Sequence, residues 1–547
     1  MEVADCSLPD MFRDGVRRFA CQQAIVFDGR ALDFAAVDRI SDRVAAALAR
    51  RGIQKGDRIG LYCINSDWFP LAYFGILKAG AVVVPINLLL NPKEVAFILN
   101  DAGVRALFYH GVFAPAVNAL RPLVPDLAFC VCIGAPAATV ASAAPPVRPM
   151  PLVQPLLPDI PWAEFAEAEG PLPPMRPAPV VRPTPLVAFN PAEDLAAILY
   201  TSGTTGRPKG AMLTHRNLVS NIRSTLQAMH VQPGEERFLV ILPLFHAFAA
   251  MACMFLPLMS GSTMVPLSRF DPLHVAKMIA AERITLFMGV PSMYVALLRL
   301  PDAVVPHFET LKFCVSGGAA LPVAVMREFE ARFGKKIYEG DGPTECSPVT
   351  CVNPIGGQTK PGTVGRPVPD VEMKIVDEQG RDVPDGTIGE ICVRGPNVMK
   401  GYWKLPAETK EAFFGDWFRT GDLGTRDADG YFSIVDRRKD MIIVNGMNIY
   451  PRMIEEVLAH CEGVREVAVV GEPHKMHGEI PVAYVALKAD AAVTVAQLRV
   501  CCLANLGRHE VPRKFFFLSE LPKNAAGKIM KRELRKHGEL ERGVLGT

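Results

Sequence analysis

Tyr200-Thr201-Ser202-Gly203-Thr204-Thr205-Gly206-Arg207-Pro208-Lys209-Gly210 is the stretch on which the reading of this chain turns. It follows an apolar run, Leu195–Leu199, that reads as a strand, and it precedes a segment of helical character. Glycines permit tight backbone turns, so amide N–H groups can face an anion, and the Ser and Thr hydroxyls add neutral donors. A loop of this kind cradles phosphates. It is not a Walker A loop, because Lys209 is followed by Gly210 and the glycine spacing fails.

Around that loop lie 547 residues, too many for one ordinary core, so two or more domains are expected. Half the residues are hydrophobic and 21% are charged, a globular balance, and the net charge of +2 calls for neither nucleic acid nor an anionic membrane as partner. The 13 cysteines form no CxxC pair and no even framework, which reads as free thiols in a reducing cytosol. Glu2 and Asp5 precede any apolar run, unlike a signal peptide, and Val544-Leu545-Gly546-Thr547 carries no lipidation signal. Phe238 to Ser268 lacks any Asp, Glu, Lys or Arg, yet Pro243, His246, Pro257 and Pro266 interrupt it. It reads as a strand end, a turn, a buried helix and a second strand rather than a membrane span.

Periodicity alternates along the first hundred residues. A helix over 34–51, a strand Asp57–Ile64, a helix Trp68–Lys78, a strand Ala81–Pro85, a helix from Pro92 and a strand Arg105–His110 predict a mostly parallel sheet covered on both faces. Residues 135–190 are rich in Pro and Ala and read as a spacer or surface excursion. Residues 355–436 carry short strands and turns such as Asp385-Gly386, a β-rich subdomain, and a compact α+β tail follows Lys439. Asp427-Ala-Asp429-Gly430 lacks the remaining ligands of a calcium loop and reads as a hairpin turn. His474, His477 and Glu479 stand at no recognised metal spacing and read as a surface loop. The expected architecture is α/β: a large N-terminal domain of doubly wound sheets (1–436), a hinge (437–440) and a small mobile C-terminal domain (441–547).

All eleven residues from Tyr200 to Gly210 resemble the phosphate loop of the adenylate-forming superfamily, which holds acyl-CoA synthetases, adenylation domains of peptide synthetases, and luciferases. A bare Ser/Thr/Gly surface loop does not account for that match, and the resemblance runs over nearly the whole chain apart from the Pro-rich stretch. It implies that Thr201, Ser202, Gly203, Thr204, Thr205, Gly206 and Lys209 hold phosphates. Pro243-Leu244-Phe245-His246 resembles the segment lining the acyl pocket, although a histidine in an apolar run is more often a hydrogen-bonded core residue. The stretch Ser316-Gly317-Gly318-Ala319-Ala320-Leu321 resembles the loop that lies along the adenine and the acyl group. In Gly342-Pro343-Thr344-Glu345, similar to the second nucleotide motif, Thr344 is implied to contact the α-phosphate and Glu345 to help hold Mg²⁺.

Departures from the family pattern occur at two positions. Asp341 replaces the aromatic residue that would stack on adenine, and is a candidate acceptor for the adenine amino group. Met453 replaces a Glu, while Glu455 is kept. Thr420-Gly421-Asp422 and Asp436-Arg437 complete the implied nucleotide site, since a carboxylate can accept both ribose hydroxyls and Arg437 can bind ribose or phosphate oxygens. Lys439 matches the hinge position, and Gly446 with Asn448-Ile449-Tyr450-Pro451 matches the loop presented to the thiol. Lys528, in Pro522-Lys523-Asn524-Ala525-Ala526-Gly527-Lys528-Ile529, matches the lysine of the adenylation step.

These parts imply a ligase acting in two steps. A carboxylate becomes a good acyl donor once it attacks the α-phosphate of ATP, and the acyl-adenylate is then taken by a thiol, with Mg²⁺ and coenzyme A as the implied companions of ATP. Catalytic candidates are Lys528, Thr344, Glu345 and His246; Phe245, His246, Phe248, Met251, Gly289 and Gly317 are the candidate acyl pocket, although apolar residues of this kind also make an ordinary core. The uncharged pocket favours a medium- or long-chain fatty acid, with an aryl acid, a carrier-protein acceptor and, further off, a nucleotide-binding pseudo-enzyme as the competing readings. A cytoplasmic enzyme is expected, with at most peripheral membrane contact; a homodimer is compatible with the sequence.

Overall fold

The computed structural model describes residues 6–134, 159–166, 187–202, 207–445, 447–474, 476–489, 491–523 and 529–535. Local signals set its first helices. Asp33 caps Phe34–Arg50 by accepting the Ala36 amide at 2.6 Å, and Asn91, Pro92 and Glu94 form the capping box that starts Pro92–Ala102. Gly103, at φ +63°, ends that helix in the left-handed region, and the strand Val104–His110 follows at once. Trp68–Lys78 is buried almost all round, and its one charge, Lys78, is met by Asp38 and Asp42 of the preceding helix at 2.5 and 2.9 Å.

Among the described residues these elements wind into two large sheets. Eight strands form the first, where Arg58–Tyr62, Val82–Pro85, Val104–His110 and Phe129–Ile133 run parallel. Leu195–Ser202 (β1) joins Val82–Pro85 in parallel, then the chain doubles back as Pro208–Thr214 (β2). Nine strands form the second, whose parallel centre runs through Leu286–Gly289 and Phe313–Ser316 (β3) to Ile337–Asp341 (β4). Fully buried strands such as Leu286–Gly289 show why the sequence reads as apolar runs rather than as alternation. The two-residue strand Gly401–Tyr402 (β5) closes the edge of the first sheet against β2.

Short antiparallel strands occupy 355–436 as their turn-rich texture predicts, among them Trp417–Arg426 (β6) and Phe432–Arg437 (β7). Asp427 and Asp429 in the turn between β6 and β7 both clasp Lys360, at 2.5 and 2.6 Å, so the stretch is a hairpin turn braced by an ion pair. Beyond Lys439 a separate five-stranded sheet carries the helices Pro451–Ala459 (α1) and Val495–Asn505 (α2), over its own apolar core of Ile442, Ile454, Leu458 and Leu498. The uncharged stretch 238–268 opens within the strand Arg237–Val240 and continues through short helical turns over Ala247–Ser260 to the strand Thr263–Pro266. No helix of the described residues is long and apolar enough to cross a membrane.

Two expectations need correction. The 135–190 stretch is more than a spacer: Asp159–Pro161 adds a parallel strand beside Phe129–Ile133, and Trp162–Ala166 buries Trp162 and Phe165, the latter edge-on to Phe108 at 5.3 Å. Burying two aromatic rings outweighs the extended bias of the flanking prolines. Residues 135–158 and 167–186 lie outside the described residues. The cysteines are not all free either. Cys461, just past α1, and Cys501, on α2, are joined by a disulfide with 6.7 Å between Cα atoms, because helix packing, not sequence spacing, brings them together.

Candidate active site

Strands β1 and β2 present the phosphate hairpin. Thr201 stands opposite Lys209 and Ser202 opposite Pro208, so the hydroxyl of Thr201 and the ammonium of Lys209 rise from neighbouring strands at one end of the sheet. Gly203, Thr204, Thr205 and Gly206 lie outside the described residues. The Thr201 hydroxyl donates to Glu345 Oε1 at 3.3 Å, across 144 positions of sequence.

Glu345 sits in the single turn Thr344–Cys346, reached from β4 through Gly342. Gly342 is obligatory there, since a Cβ at that position would overlap the carbonyl oxygen of Pro348. Thr344 opens the turn and is half-buried beside Glu345. A second hydroxyl, that of Tyr402 on β5, donates to the same Glu345 oxygen at 3.1 Å. Nothing in the sequence reading singled out Tyr402; its signal is positional, because β5 pairs with the strand that carries Lys209.

Across the hairpin of β6 and β7, Asp422 and Arg437 are direct register partners and form an ion pair at 3.0 Å. Asp422 is buried while the arginine is exposed, and Asp422, then Asp341, hold the guanidinium above its ordinary range. Arg437 therefore lies among four carboxylates, Asp422, Asp341, Asp440 and Glu345, which makes a site where an anion must compete for the guanidinium. Asp341 ends β4, and its carbonyl accepts both the amide and the hydroxyl of Thr350 at 3.0 Å.

The loop after β3 brings Gly317, Gly318 and Ala319 alongside β4. Gly318 needs its glycine for φ +76°, and a Cβ on Gly317 would press on the ring of Phe248 at 3.2 Å and on Gly340 O at 3.4 Å. Gly317 and Phe248 are thus neighbours, as the acyl-pocket reading requires. His246 departs from the core position that an apolar run suggests: it is exposed, and its Nδ1 caps the next turn by accepting the Phe248 amide at 3.3 Å. Phe245 is half-buried, whereas Met251 is fully buried in a π-helical turn and Gly289 is wedged between Phe287 and Tyr294.

Lys439 lies between β7 and the C-terminal sheet, exposed, with its ammonium lowered by partial burial and by the neighbouring Arg437 charge. Gly446 and Lys528 lie outside the described residues. Asp436, buried at the end of β7, accepts the Arg437 amide at 2.7 Å and the Arg452 amide at 2.8 Å, so its carboxylate caps the first turn of α1 from the far side of Lys439. Burial raises the Asp436 carboxyl, opposed by the charge of Lys531. Lys531 in turn pairs with Glu455 at 2.8 Å, and Arg535 with Asp440 at 2.9 Å. His477 bonds Asn445 at 2.9 Å and Glu479 accepts the Ile443 amide at 2.8 Å, contacts that brace the tip of a hairpin.

A glutamate fixed by the hairpin of β1 and β2, an Asp–Arg pair, and a small-residue loop against an aromatic ring are the features that the structure supplies at the residues the sequence singles out. Comparison with known proteins agrees with that geometry. Residues 12–403 match the family model described as AMP-binding enzyme, and 453–528 match the AMP-binding enzyme C-terminal domain. A long-chain-fatty-acid–CoA ligase of Bacillus subtilis (strain 168) is 36% identical over 532 residues, covering 96% of this chain and 94% of that one. Among solved structures, the anthranilate CoA ligase AuaEII in complex with anthranoyl-AMP superposes with a TM-score of 0.86 at 28% identity, covering 99% of this chain and 100% of that one. ATP-bound MatB from Rhodopseudomonas palustris follows with 0.84 at 30% identity, covering 97% and 99%. The chain belongs to the AMP-binding enzyme family and is an ATP-dependent, AMP-forming acid–thiol ligase.

Proposed function

We propose that the chain activates a medium- or long-chain fatty acid with ATP and transfers the acyl group to coenzyme A. The observation that carries the nucleotide half is the shared carboxylate oxygen of Glu345, which ties the phosphate hairpin to the turn holding Thr344. The acyl half is supported by the apolar, uncharged surroundings of Gly317 and Phe248, and by the likeness to a ligase named for long-chain fatty acids. In this reading Lys209, Thr201 and Thr344 bind phosphate oxygens, Asp422 accepts the ribose hydroxyls, and Arg437 leaves its partner carboxylate in part to meet the nucleotide. The Gly317–Ala319 loop lies along adenine and acyl group, with Asp341 as acceptor for the adenine amino group and His246 at the mouth of the pocket.

A divalent Mg²⁺ fits the donor set, because Glu345 offers a carboxylate oxygen to a hard cation while hydroxyls hold the other. When bound it neutralises charge on the phosphates. Attack by the acid oxygen on the α-phosphorus forms the acyl–phosphate bond and releases pyrophosphate; the thiol sulfur then attacks the acyl carbonyl and AMP departs. Residues 1–436 form the nucleotide and acyl site, 437–440 the hinge and 441–547 the mobile unit that offers Lys528 for the first step and the Gly446 loop for the second. Such an exchange screens the adenylate from water between steps.

An aryl acid is the second reading, supported by the anthranoyl-AMP complex among the structural neighbours. The test is mass-spectrometric detection of products after incubation with ATP, Mg²⁺, coenzyme A and a panel of fatty and aryl acids. Acyl-CoA from one chain-length class is the expected result. Acyl-CoA from aryl acids alone overturns the substrate, and AMP without acyl-CoA moves the acceptor to a carrier protein.

A further inference from the structure

The phenol of Tyr402 touches two groups that the nucleotide reading needs. Its hydroxyl donates to Glu345 Oε1 at 3.1 Å, and the ammonium of Lys209 lies 5.3 Å from its ring centroid. The ring is held firmly. Tyr402 stands in register with Ala211 of β2, the Trp403 amide bonds Gly210 O at 2.7 Å, and the Tyr402 amide bonds the Thr409 hydroxyl at 2.9 Å. Three residues earlier the Met399 amide donates to the carbonyl of Glu345 itself at 2.7 Å. One short edge segment, 399–403, is therefore fastened to the phosphate hairpin at one end and to the Glu345 turn at the other.

Both hydroxyls that reach Glu345, from Thr201 and from Tyr402, land on Oε1. Oε2 has no hydrogen-bond partner among the described residues, and Glu345 is only half-buried. A carboxylate so held loses its freedom to rotate and presents one defined oxygen to a hard cation, which favours a single coordination geometry.

We propose that Tyr402 is a positioning residue for the cation and the phosphates together: its hydroxyl sets the Glu345 carboxylate and its ring face sets Lys209. The inference rests on the reading of Glu345 as the cation ligand. The two contacts separate cleanly by substitution, since Tyr402→Phe removes the hydroxyl and keeps the ring, while Tyr402→Leu removes both.

Mn²⁺ is the probe, titrated by electron paramagnetic resonance into full-length protein saturated with α,β-methylene-ATP, which cannot be cleaved at the reacting bond. Tyr402→Phe is expected to weaken Mn²⁺ about tenfold, the loss of one hydrogen bond to a charged acceptor. Binding of the analogue in EDTA should not change in Tyr402→Phe and should weaken in Tyr402→Leu. Placing 4-aminophenylalanine at position 402 restores a donor and should recover Mn²⁺ affinity. Wild-type Mn²⁺ affinity in Tyr402→Phe overturns the proposal, and so does an equal loss with and without metal, which marks a merely structural role. Glu345→Gln keeps the two failures apart. If that variant also binds Mn²⁺ normally, the cation role of Glu345 is wrong; if it loses Mn²⁺ while Tyr402→Phe does not, only the role of Tyr402 is wrong. Should Tyr402→Phe fold poorly, 4-aminophenylalanine against 4-methylphenylalanine makes the same comparison at nearly constant ring volume.

Discussion

Glu339→Gln should change how the stability of the protein depends on pH while leaving the fold in place. Glu339 lies on β4 with 2% of its surface exposed; its Oε1 accepts the Leu321 amide at 3.1 Å and its Oε2 has no partner among the described residues. Burial is the largest influence on the carboxyl and raises it from 4.5 to about 7; the Leu321 amide and the charge of Arg452 oppose the rise, and Asp341 and Glu456 add to it. The sign follows from proton counting. Between pH 4.5 and about 7 the folded chain keeps a proton that the unfolded chain has lost, so stability falls as the pH rises through that window and is level above it. Accumulated from pH 4.5 to about 7 at about 1.4 kcal/mol per pH unit, the loss is roughly 3 kcal/mol. Glutamine cannot ionise and lacks this slope. Urea unfolding of wild type and variant, followed by tryptophan fluorescence from about pH 5 to pH 8, should show curves that differ little at the acid end. Glutamine should gain roughly 3 kcal/mol on the wild type by the alkaline end. A gap that is constant with pH, or that widens toward acid, refutes the reasoning.

Other expectations concern the site and the fold. Lys528→Ala should lose acid-dependent pyrophosphate exchange by on the order of 10²–10³ while still making thioester from supplied acyl-adenylate, and an equal loss of both refutes the division of steps. In Gly342→Ala the methyl group would overlap the Pro348 carbonyl oxygen, so the variant should be recovered unfolded or lose more than about 3 kcal/mol in chemical denaturation. Trp162→Ala should cost about 3–5 kcal/mol in the same measurement if the ring is buried as described, whereas a free spacer would lose almost nothing.

Legibility in the sequence follows the range of the interaction that decides each feature. The helices from Phe34 and from Pro92 were readable from apolar periodicity, which their local caps at Asp33, Asn91 and Glu94 reinforce, and the inner strands because burial on both faces makes them apolar throughout. That Thr201 and Glu345 serve one nucleotide site was implied by motif resemblance, whereas their direct contact was not legible, since sheet packing alone spans the gap between them. Three features escaped for the same reason. Tyr402 acts through an edge pairing with β2, Cys461 meets Cys501 through the packing of α1 and α2, and Trp162 finds its place in a groove that the surrounding prolines conceal. The exposure of His246 was not legible either, because an apolar run favours a core position, whereas a turn at Pro243 lifts the ring to the surface.

The carboxylate of Asp436 is anchored before Lys439, and the amide it caps, that of Arg452, comes after it. A swing of the C-terminal unit about Lys439, as proposed above, would hand that amide back to solvent. Deuterium uptake at this single position would then read out the fraction of time spent in each arrangement, with no attached probe and no ligand chemistry required. If the C-terminal unit turns about Lys439 as proposed, a helix start that belongs to this orientation alone makes it a latched setting, and the latch loosens as Asp436 is protonated.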